Sequence, residues 1–323
     1  MSPLDLVIAS ITHGHDLEIS RLSLGGKMGD GGQGEVYEVV GHPGLLYKQY
    51  RDPGKVYAPA VAELVTLRLR LDPVERTRLD AEAAWPLCRV TEGGTTTGFL
   101  MHRAPDTMTW RTSAGTVKLT ELQFLLRPAR AAWSAVVQPD LAQRLEIVKA
   151  FVELLGRLHR WGLVVGDLSQ ANLLWTVQPE VRIHLIDCDG ARAAGGRPAL
   201  AQADTPDWGD PEAKGSAANV DSDRYKAALV IGRVLAQDPL VTPGQQLNPL
   251  PGVLNDRQLA AVQRLFGQAS GPANTRPDLI QWSMALSGRG SIPLLRAAPP
   301  PRRAVDHTKF DGGAPRGVIQ LRT

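Results

Sequence analysis

The stretch from Val164 to Asp187, VVGDLSQANLLWTVQPEVRIHLID, constrains this chain more than any other, because it offers Asp167, Asn172 and Asp187 as metal-capable or basic oxygen groups within one short loop-and-hairpin segment. Asp167 and Asn172 lie five residues apart in the polar loop GDLSQAN, between the end of a helical pattern and the apolar pair Leu173 and Leu174. The next strand, VRIHLID, carries Val181, Ile183 and Leu185 at period two and ends on Asp187. A returning strand brings Asp187 back beside Asn172. A carboxylate and an amide oxygen held together suit a hard cation such as magnesium that also binds phosphate, which leaves Asp167 to orient a nucleophile. Taken singly, Asp and Asn are common turn and cap residues, so the reading depends on the rest of the chain.

Composition narrows the classes. With 43% hydrophobic and 21% charged residues the chain has enough apolar material for a sizeable core. A net charge of +3 without a clustered basic stripe gives no expectation of a nucleic-acid partner. Cys88 and Cys188 are far apart and have no metal-ligand spacing, so neither a zinc site nor a disulfide framework is expected, and a reducing cytoplasm fits best. The first residues, MSPLDLVIAS, lack a basic region and carry Asp5 inside the apolar run, so neither a secretion signal nor a membrane association is expected.

Residues 1–20 show no strong period and are expected to be an N-terminal extension. After them LSLGGKMGDGGQGEVYEVV reads as strand, glycine turn, strand. Glycine lets backbone amides approach phosphate oxygens closely. GDGGQGEV matches G-x-G-x-x-G-x-V, and no helix start follows it, so the turn is a hairpin tip that can close over a nucleotide rather than a dinucleotide-binding turn. Lys48 sits inside the apolar strand LLYKQY, either as an edge residue with its charge in water or as a partner of phosphate oxygens. PAVAELVTLRLRL is helical in pattern and carries Glu63, which is a partner for Lys48, a solvated carboxylate, or a group claimed by Arg68 or Arg70.

AWPLCRV and GFLMHRA, separated by TEGGTTT, read as an antiparallel hairpin that completes a small sheet with one helix. Residues 104–139, with Trp110, Trp133 and Pro128, give no clear pattern and are read as a less ordered insertion that can meet a partner. From Asp140, the expected N-cap, a helix runs to Arg160, and Gly162 stops it. That helix leads directly into the Asp167 loop.

With these residues in view, the chain resembles the eukaryotic-like protein kinase superfamily over about residues 22–286. It resembles most a divergent bacterial Ser/Thr kinase branch with a GGxGxVY-type loop, a GD catalytic loop and an IDxD metal motif. The resemblance implies an α+β, bilobal fold: a small antiparallel-sheet N-lobe with one main helix over residues 21–103, and a larger, mainly helical C-lobe over residues 104–288. It implies ATP under the glycine loop at Gly29, Gly31 and Gly34, with Val36 and Met101 also lining the nucleotide site. Lys48 would bind the α and β phosphates and pair with Glu63. Asp167 would orient the substrate hydroxyl, and Asn172 and Asp187 would hold magnesium or manganese. The implied partner is a protein substrate. Some relatives are encoded beside von Willebrand A-domain proteins and metal-dependent phosphatases, so proteins of these two classes are further expected partners.

Two later matches favour a protein kinase over a small-molecule kinase of the aminoglycoside phosphotransferase type, which shares the GDL…N…ID core. TPDWGDPE, from Thr205 to Glu212, resembles the end of an activation segment, and Arg276 in NTRPDLIQW resembles the arginine that pairs with that glutamate. A buried Glu212–Arg276 pair would anchor the segment. Asp223, at the start of SDRYKAALVIGRVLA, stands where the resemblance puts an aspartate that holds the catalytic-loop backbone, and it also reads as a helix cap.

The chain departs from the pattern in several places. Val165 and Gly166 replace the usual His-Arg, and CDGARAAGGRPALAQAD contains no Ser, Thr or Tyr. Both departures point to an enzyme not switched by phosphorylation of that segment. Ser169 stands where Ser/Thr-directed members carry a lysine, and Arg192 or Lys214 is a candidate replacement. DCDG replaces DFG, with Cys188 read as a buried thiol and Asp189 as a turn residue in preference to a second metal ligand. The filled catalytic positions give an ATP-dependent protein Ser/Thr kinase as the expected function. A pseudokinase without turnover and a small-molecule kinase are the alternatives. Residues 289–323, rich in Pro, Gly and Arg, read as a disordered tail.

Overall fold

The computed structural model describes residues 3–202 and 205–288. The expected tail, 289–323, lies outside the described residues. The N-terminal segment is more ordered than its sequence suggested. Pro3–His13 form helix α1, and Leu17–Glu18 form strand β1. Val7 is buried with Leu17, and Ile11, one helical turn on, packs against the same cluster. A two-residue strand is too short to leave a period in the sequence, which is why this segment read as an extension.

A six-stranded sheet follows, built from β1, β2 (Leu24–Asp30), β3 (Gly34–Val39), β4 (Leu45–Tyr50), β5 (Cys88–Glu92) and β6 (Thr95–His102), in the order β1-β5-β6-β4-β3-β2. All neighbours are antiparallel except β1, which runs parallel to β5. Strand β4 therefore lies inside the sheet, and Lys48 faces Val36 on one side and Phe99 on the other. Two glycines allow this close approach. A Cβ on Gly34 would lie 2.3 Å from the Gln49 carbonyl oxygen, and one on Gly98 would lie 2.0 Å from that of Lys48.

Between β4 and β5 come α2 (Ala58–Arg70) and α3 (Pro73–Glu82). Asp72 caps α3 by accepting from the Val74 and Glu75 amides, at 2.9 and 3.0 Å. After β6 the stretch read as unordered is built into the core. β7 (Thr109–Arg111) and β8 (Val117–Leu119) form a hairpin, and Leu122, Leu125, Leu126 and Val136 are buried. Phe124 packs edge-on against both Trp110 and Trp133, with ring centroids 5.5 Å apart in each pair. These contacts are between residues 9 to 14 apart without a repeating period, so neither helix nor strand spacing could reveal them.

The remaining chain is largely helical: α4 (Leu141–Arg160), then strands β9 (Leu163–Val164), β10 (Leu173–Thr176), β11 (Arg182–Leu185) and β12 (Arg192–Ala193), then α5 (Val220–Ala236), α6 (Asp256–Gln268) and α7 (Leu279–Leu286). Helix α4 has the expected Asp140 cap, completed as a capping box by Gln143, and Gly162 follows it at φ 76°. Its apolar stripe, including Ile147, Phe151, Leu155 and Leu158, packs on α5, which is buried nearly all round. The described chain is thus α+β, with a mixed-sheet region first and a largely helical region after it, in a two-lobed layout.

Candidate functional site

The GDLSQAN loop joins β9 to β10, and the β10–β11 hairpin returns the chain to its start. Leu173 faces Leu185, and the Ile186 amide donates to the Asn172 carbonyl oxygen at 2.9 Å. Asp187 follows directly, so the hairpin sets Asp187 beside Asn172 as its spacing implied. The Asn172 side-chain amide donates to the backbone oxygen of Asp167 at 2.9 Å and to its carboxylate at 3.0 Å. Because the Nδ2 donors are used on Asp167, the amide oxygen of Asn172 is the atom left to face a cation. Asp187 adopts the left-handed conformation, φ 59° and ψ 44°. Such backbone costs about 1 kcal/mol for a residue with a Cβ, least for Asp and Asn, and here it turns the chain out of β11.

The loop is held from beneath by α5. The Asp223 carboxylate, fully buried, accepts from the Val165 amide at 2.7 Å and the Gly166 amide at 2.9 Å, with His159 Nε2 3.2 Å away. Lys226, one turn further, donates to the Gly166 carbonyl oxygen at 2.7 Å. Gly166 itself sits at φ 80°. The expected backbone role of Asp223 is therefore met, while the helix cap belongs to Asn219, which forms a capping box with Ser222. Lys226 was invisible in the sequence, since a lysine in an apolar helix reads equally as a solvated residue.

Above the loop, Lys48 Nζ donates to Asp187 Oδ1 at 2.9 Å and to Asp189 Oδ1 at 2.7 Å. Lys48 and Asp189 are 3% and 2% exposed, whereas the Asp187 side chain is 48% exposed. Burial pushes the Lys48 ammonium toward neutrality, but the two carboxylates outweigh it and hold it above its ordinary range. Burial, and then Asp189, keep the Tyr50 hydroxyl neutral. Lys48 is thus neither an edge residue with its charge in water nor the partner of Glu63. Glu63 is exposed on α2, where it borders a groove with Leu67, Trp161 and Leu163, and Arg68 is claimed by Asp80 at 2.6 and 2.7 Å. The expected Lys48–Glu63 pair is corrected to Lys48–Asp189. So is the reading of Asp189 as a turn residue: it stands in a turn, but its carboxylate points inward. Cys188 is the buried thiol expected, 3.5 Å from the Leu185 carbonyl oxygen, and burial holds it well above the usual thiol range.

The glycine hairpin closes with the Gly31 amide donating to the Gly34 carbonyl oxygen at 2.9 Å. Arg51 tethers its tip through the Gly31 carbonyl oxygen, at 3.0 Å, and through Asp30. Gly29 and Gly31 lie on open approaches, since a Cβ on either would meet nothing closer than 3.6 Å. Val36, Met101 and Ile186 pack into one apolar cluster with Phe99, and Ala199 and Leu200 join it. The segment after β12 is fastened there: the Tyr57 amide donates to the Ala199 carbonyl oxygen at 2.8 Å, and Gln33 on the glycine turn to that of Ala201 at 3.3 Å.

Two further expectations change. Arg276 pairs with Asp210, not Glu212; Nη2 donates to Oδ1 at 2.9 Å and Nη1 to Oδ2, with both residues buried. Glu212 is exposed, and its amide donates to Asp210 at 3.0 Å. The run WGDPE offers two carboxylates two residues apart, and only the path of the turn decides which faces inward. Arg192 is buried and committed to the carbonyl oxygens of Gly190 and Ala218 and to Gln202, at 3.0, 2.7 and 2.7 Å. Lys214 is exposed. Ser169 is buried, and its hydroxyl accepts from the Ala171 amide at 3.3 Å.

Among the described residues no cluster of three or more His, Cys, Asp or Glu is placed to hold a metal, and no helix is long and apolar enough to cross a membrane. The donor set that fits a hard cation is one amide oxygen and one carboxylate, Asn172 and Asp187, which is the pairing expected where a bound phosphate completes the coordination. No protein-family model matches the chain, and no curated protein is significantly similar to it.

Proposed function

We propose that this protein is an ATP- and magnesium-dependent kinase that transfers a γ-phosphoryl group to a Ser or Thr hydroxyl of a protein substrate. The observation that carries the reading is the convergence of Lys48, Asp187, Asn172 and Asp167, which come from three separate stretches: Lys48 contacts Asp187 and Asp189 at 2.9 and 2.7 Å, Asn172 contacts Asp167 at 2.9 and 3.0 Å, and the backbone bond from the Ile186 amide to the Asn172 carbonyl oxygen at 2.9 Å joins the two sets. Phosphoryl transfer depends on positioning and charge stabilisation more than on covalent chemistry, and this set supplies both. Asn172 and Asp187 would hold magnesium or manganese, which supplies positive charge to the phosphates. Lys48 has a third donor beyond its two carboxylates and would give it to a phosphate oxygen. The glycine turn with Gly29, Gly31 and Gly34 covers the phosphates, and Val36 and Met101 offer apolar surface to the base. Asp167 accepts the proton of the substrate hydroxyl as its oxygen bonds to the γ phosphorus and the bond to the bridging oxygen breaks, releasing ADP. Glu63 has no part in this arrangement.

The segment from Cys188 to Asp204 has no hydroxyl acceptor, which supports control by something other than its phosphorylation. A protein of the von Willebrand A-domain or metal-dependent phosphatase class is a proposed partner, and the cytoplasm the proposed location.

The decisive test follows labelled phosphate from ATP, with magnesium or manganese, into the protein itself and into a generic basic protein, comparing wild type with Asp187→Asn. Transfer by wild type that is lost in the variant supports the kinase. A second reading, a pseudokinase that binds nucleotide without turnover, is favoured by two observations: Ser169 is buried with Arg192 committed elsewhere, and Ala199 and Leu200 pack beside Val36 and Met101. ATP binding without transfer selects that reading.

A further inference from the structure

We propose that Asp189 is the positioning residue of Lys48, fixing the lysine from the turn that follows the cation-binding aspartate rather than from helix α2. The inference rests on the nucleotide-binding reading of the site. Lys48 lies inside the sheet and is almost fully buried, so its ammonium needs a permanent counter-charge, because an unpaired charge there would neutralise or open the structure. Three carboxylates are candidates for that counter-charge: Glu63, Asp187 and Asp189. Glu63 is exposed and belongs to a different surface. Asp187 is half exposed and is the side chain a cation would recruit, so its negative charge is shared as soon as a cation arrives. Of the three, Asp189 is the one that is both buried and hydrogen-bonded to Lys48, with the neutral Tyr50 hydroxyl as its other neighbour.

Its place is set by its own turn. The Ala191 amide donates to the Cys188 carbonyl oxygen at 3.0 Å, the Cys188 thiol lies 3.5 Å from the Leu185 carbonyl oxygen, and Arg192 donates to the Gly190 carbonyl oxygen at 3.0 Å. The consequence is geometric. The distance from the phosphate-binding cation on Lys48 to the metal-binding carboxylate on Asp187 is governed by a spacing of two residues along one rigid turn. A movement of α2 that left this turn in place would leave the lysine in place as well. Three donors on the ammonium then divide as one to Asp189, one to Asp187 and one for ligand.

The test uses the full-length protein and measures ATP dissociation constants calorimetrically, with magnesium and again in EDTA, for wild type, Asp189→Asn, Glu63→Gln, Lys48→Met and Lys48→Met/Asp189→Asn. Asp189→Asn is expected to weaken ATP binding at least tenfold in both conditions, and Glu63→Gln to stay within twofold of wild type. On the Lys48→Met background, Asp189→Asn is expected to change affinity less than twofold, since the two act as one unit. Asp189→Glu, which keeps the charge, is expected to recover part of the loss. Should Asp189→Asn fail to fold, Glu63→Gln and the double variant, which buries no unpaired charge, still decide. A tenfold loss in Glu63→Gln, or wild-type affinity in Asp189→Asn, overturns the role of Asp189 while leaving the nucleotide reading intact. Wild-type protein that binds no ATP in either condition overturns the nucleotide reading itself.

Discussion

Lys48 and Asp189 are 141 residues apart in the chain and 2.7 Å apart in space, and both are buried. Removing one member of such a pair strands the other charge, at a cost of about 3 kcal/mol or more. Lys48→Met is therefore expected to lower stability by about that amount, and adding Asp189→Asn to restore most of it. Urea unfolding of the two single variants and the double variant measures the coupling directly. Additive losses would show that the pair is not a unit.

Asp210 and Arg276 anchor the stretch before α5. Asp210→Asn is expected to cost about 3 kcal/mol, because the guanidinium is buried and keeps only its backbone acceptors, Gly271 and Asp221. Glu212→Gln, on an exposed side chain, is expected to stay within about 0.5 kcal/mol of wild type. Chemical denaturation of the two variants checks the assignment, and the reverse order would return the anchor to Glu212.

Asp223 satisfies the amides of Val165 and Gly166. Asp223→Ala leaves both without their acceptor, at about 1–3 kcal/mol each, and frees the loop that carries Asp167. Lower stability together with loss of phosphate transfer is the expected result. Transfer at the wild-type rate, measured well below the melting temperature, would show that the loop holds its shape without this clamp.

His184, on β11, is buried, with Nδ1 3.1 Å from the Ala81 carbonyl oxygen, which requires the proton on Nδ1. Burial pulls its pKa down to about 4, against 6.5 for an ordinary histidine. Between these values the unfolded chain binds the extra proton and the folded one does not, so stability falls as pH drops from about 6.5 toward 4. The loss attributable to this group is about 3 kcal/mol at its limit. Urea midpoints across this range, compared with His184→Gln, are expected to show a shallower fall in the variant.

Much of the site could be read from the sequence because its parts are local. The hairpin period delivered Asp187 to Asn172, the cap at Asp140 and the stop at Gly162 bounded α4, and the glycine string gave the β2–β3 turn. Residues 104–139 could not be read, since their order comes from aromatic packing among Trp110, Phe124 and Trp133 and from no repeating spacing. The N-terminal helix and β1 were hidden for a similar reason: β1 is held by β5, which lies some seventy residues on, with Leu17 facing Val90.

The sequence by itself determined where the turns, caps and strands fall, and therefore which polar groups sit at the mouth of the β10–β11 hairpin, because those depend on neighbours a few residues away. Which carboxylate meets which cation was decided only by the tertiary structure. Glu63 and Asp189 were both available to Lys48, and Asp210 and Glu212 both to Arg276. A buried charge selects the partner that packing brings within hydrogen-bond distance and shields from water, and that selection depends on how β4, α2, the Cys188–Gly190 turn and the start of α5 come together.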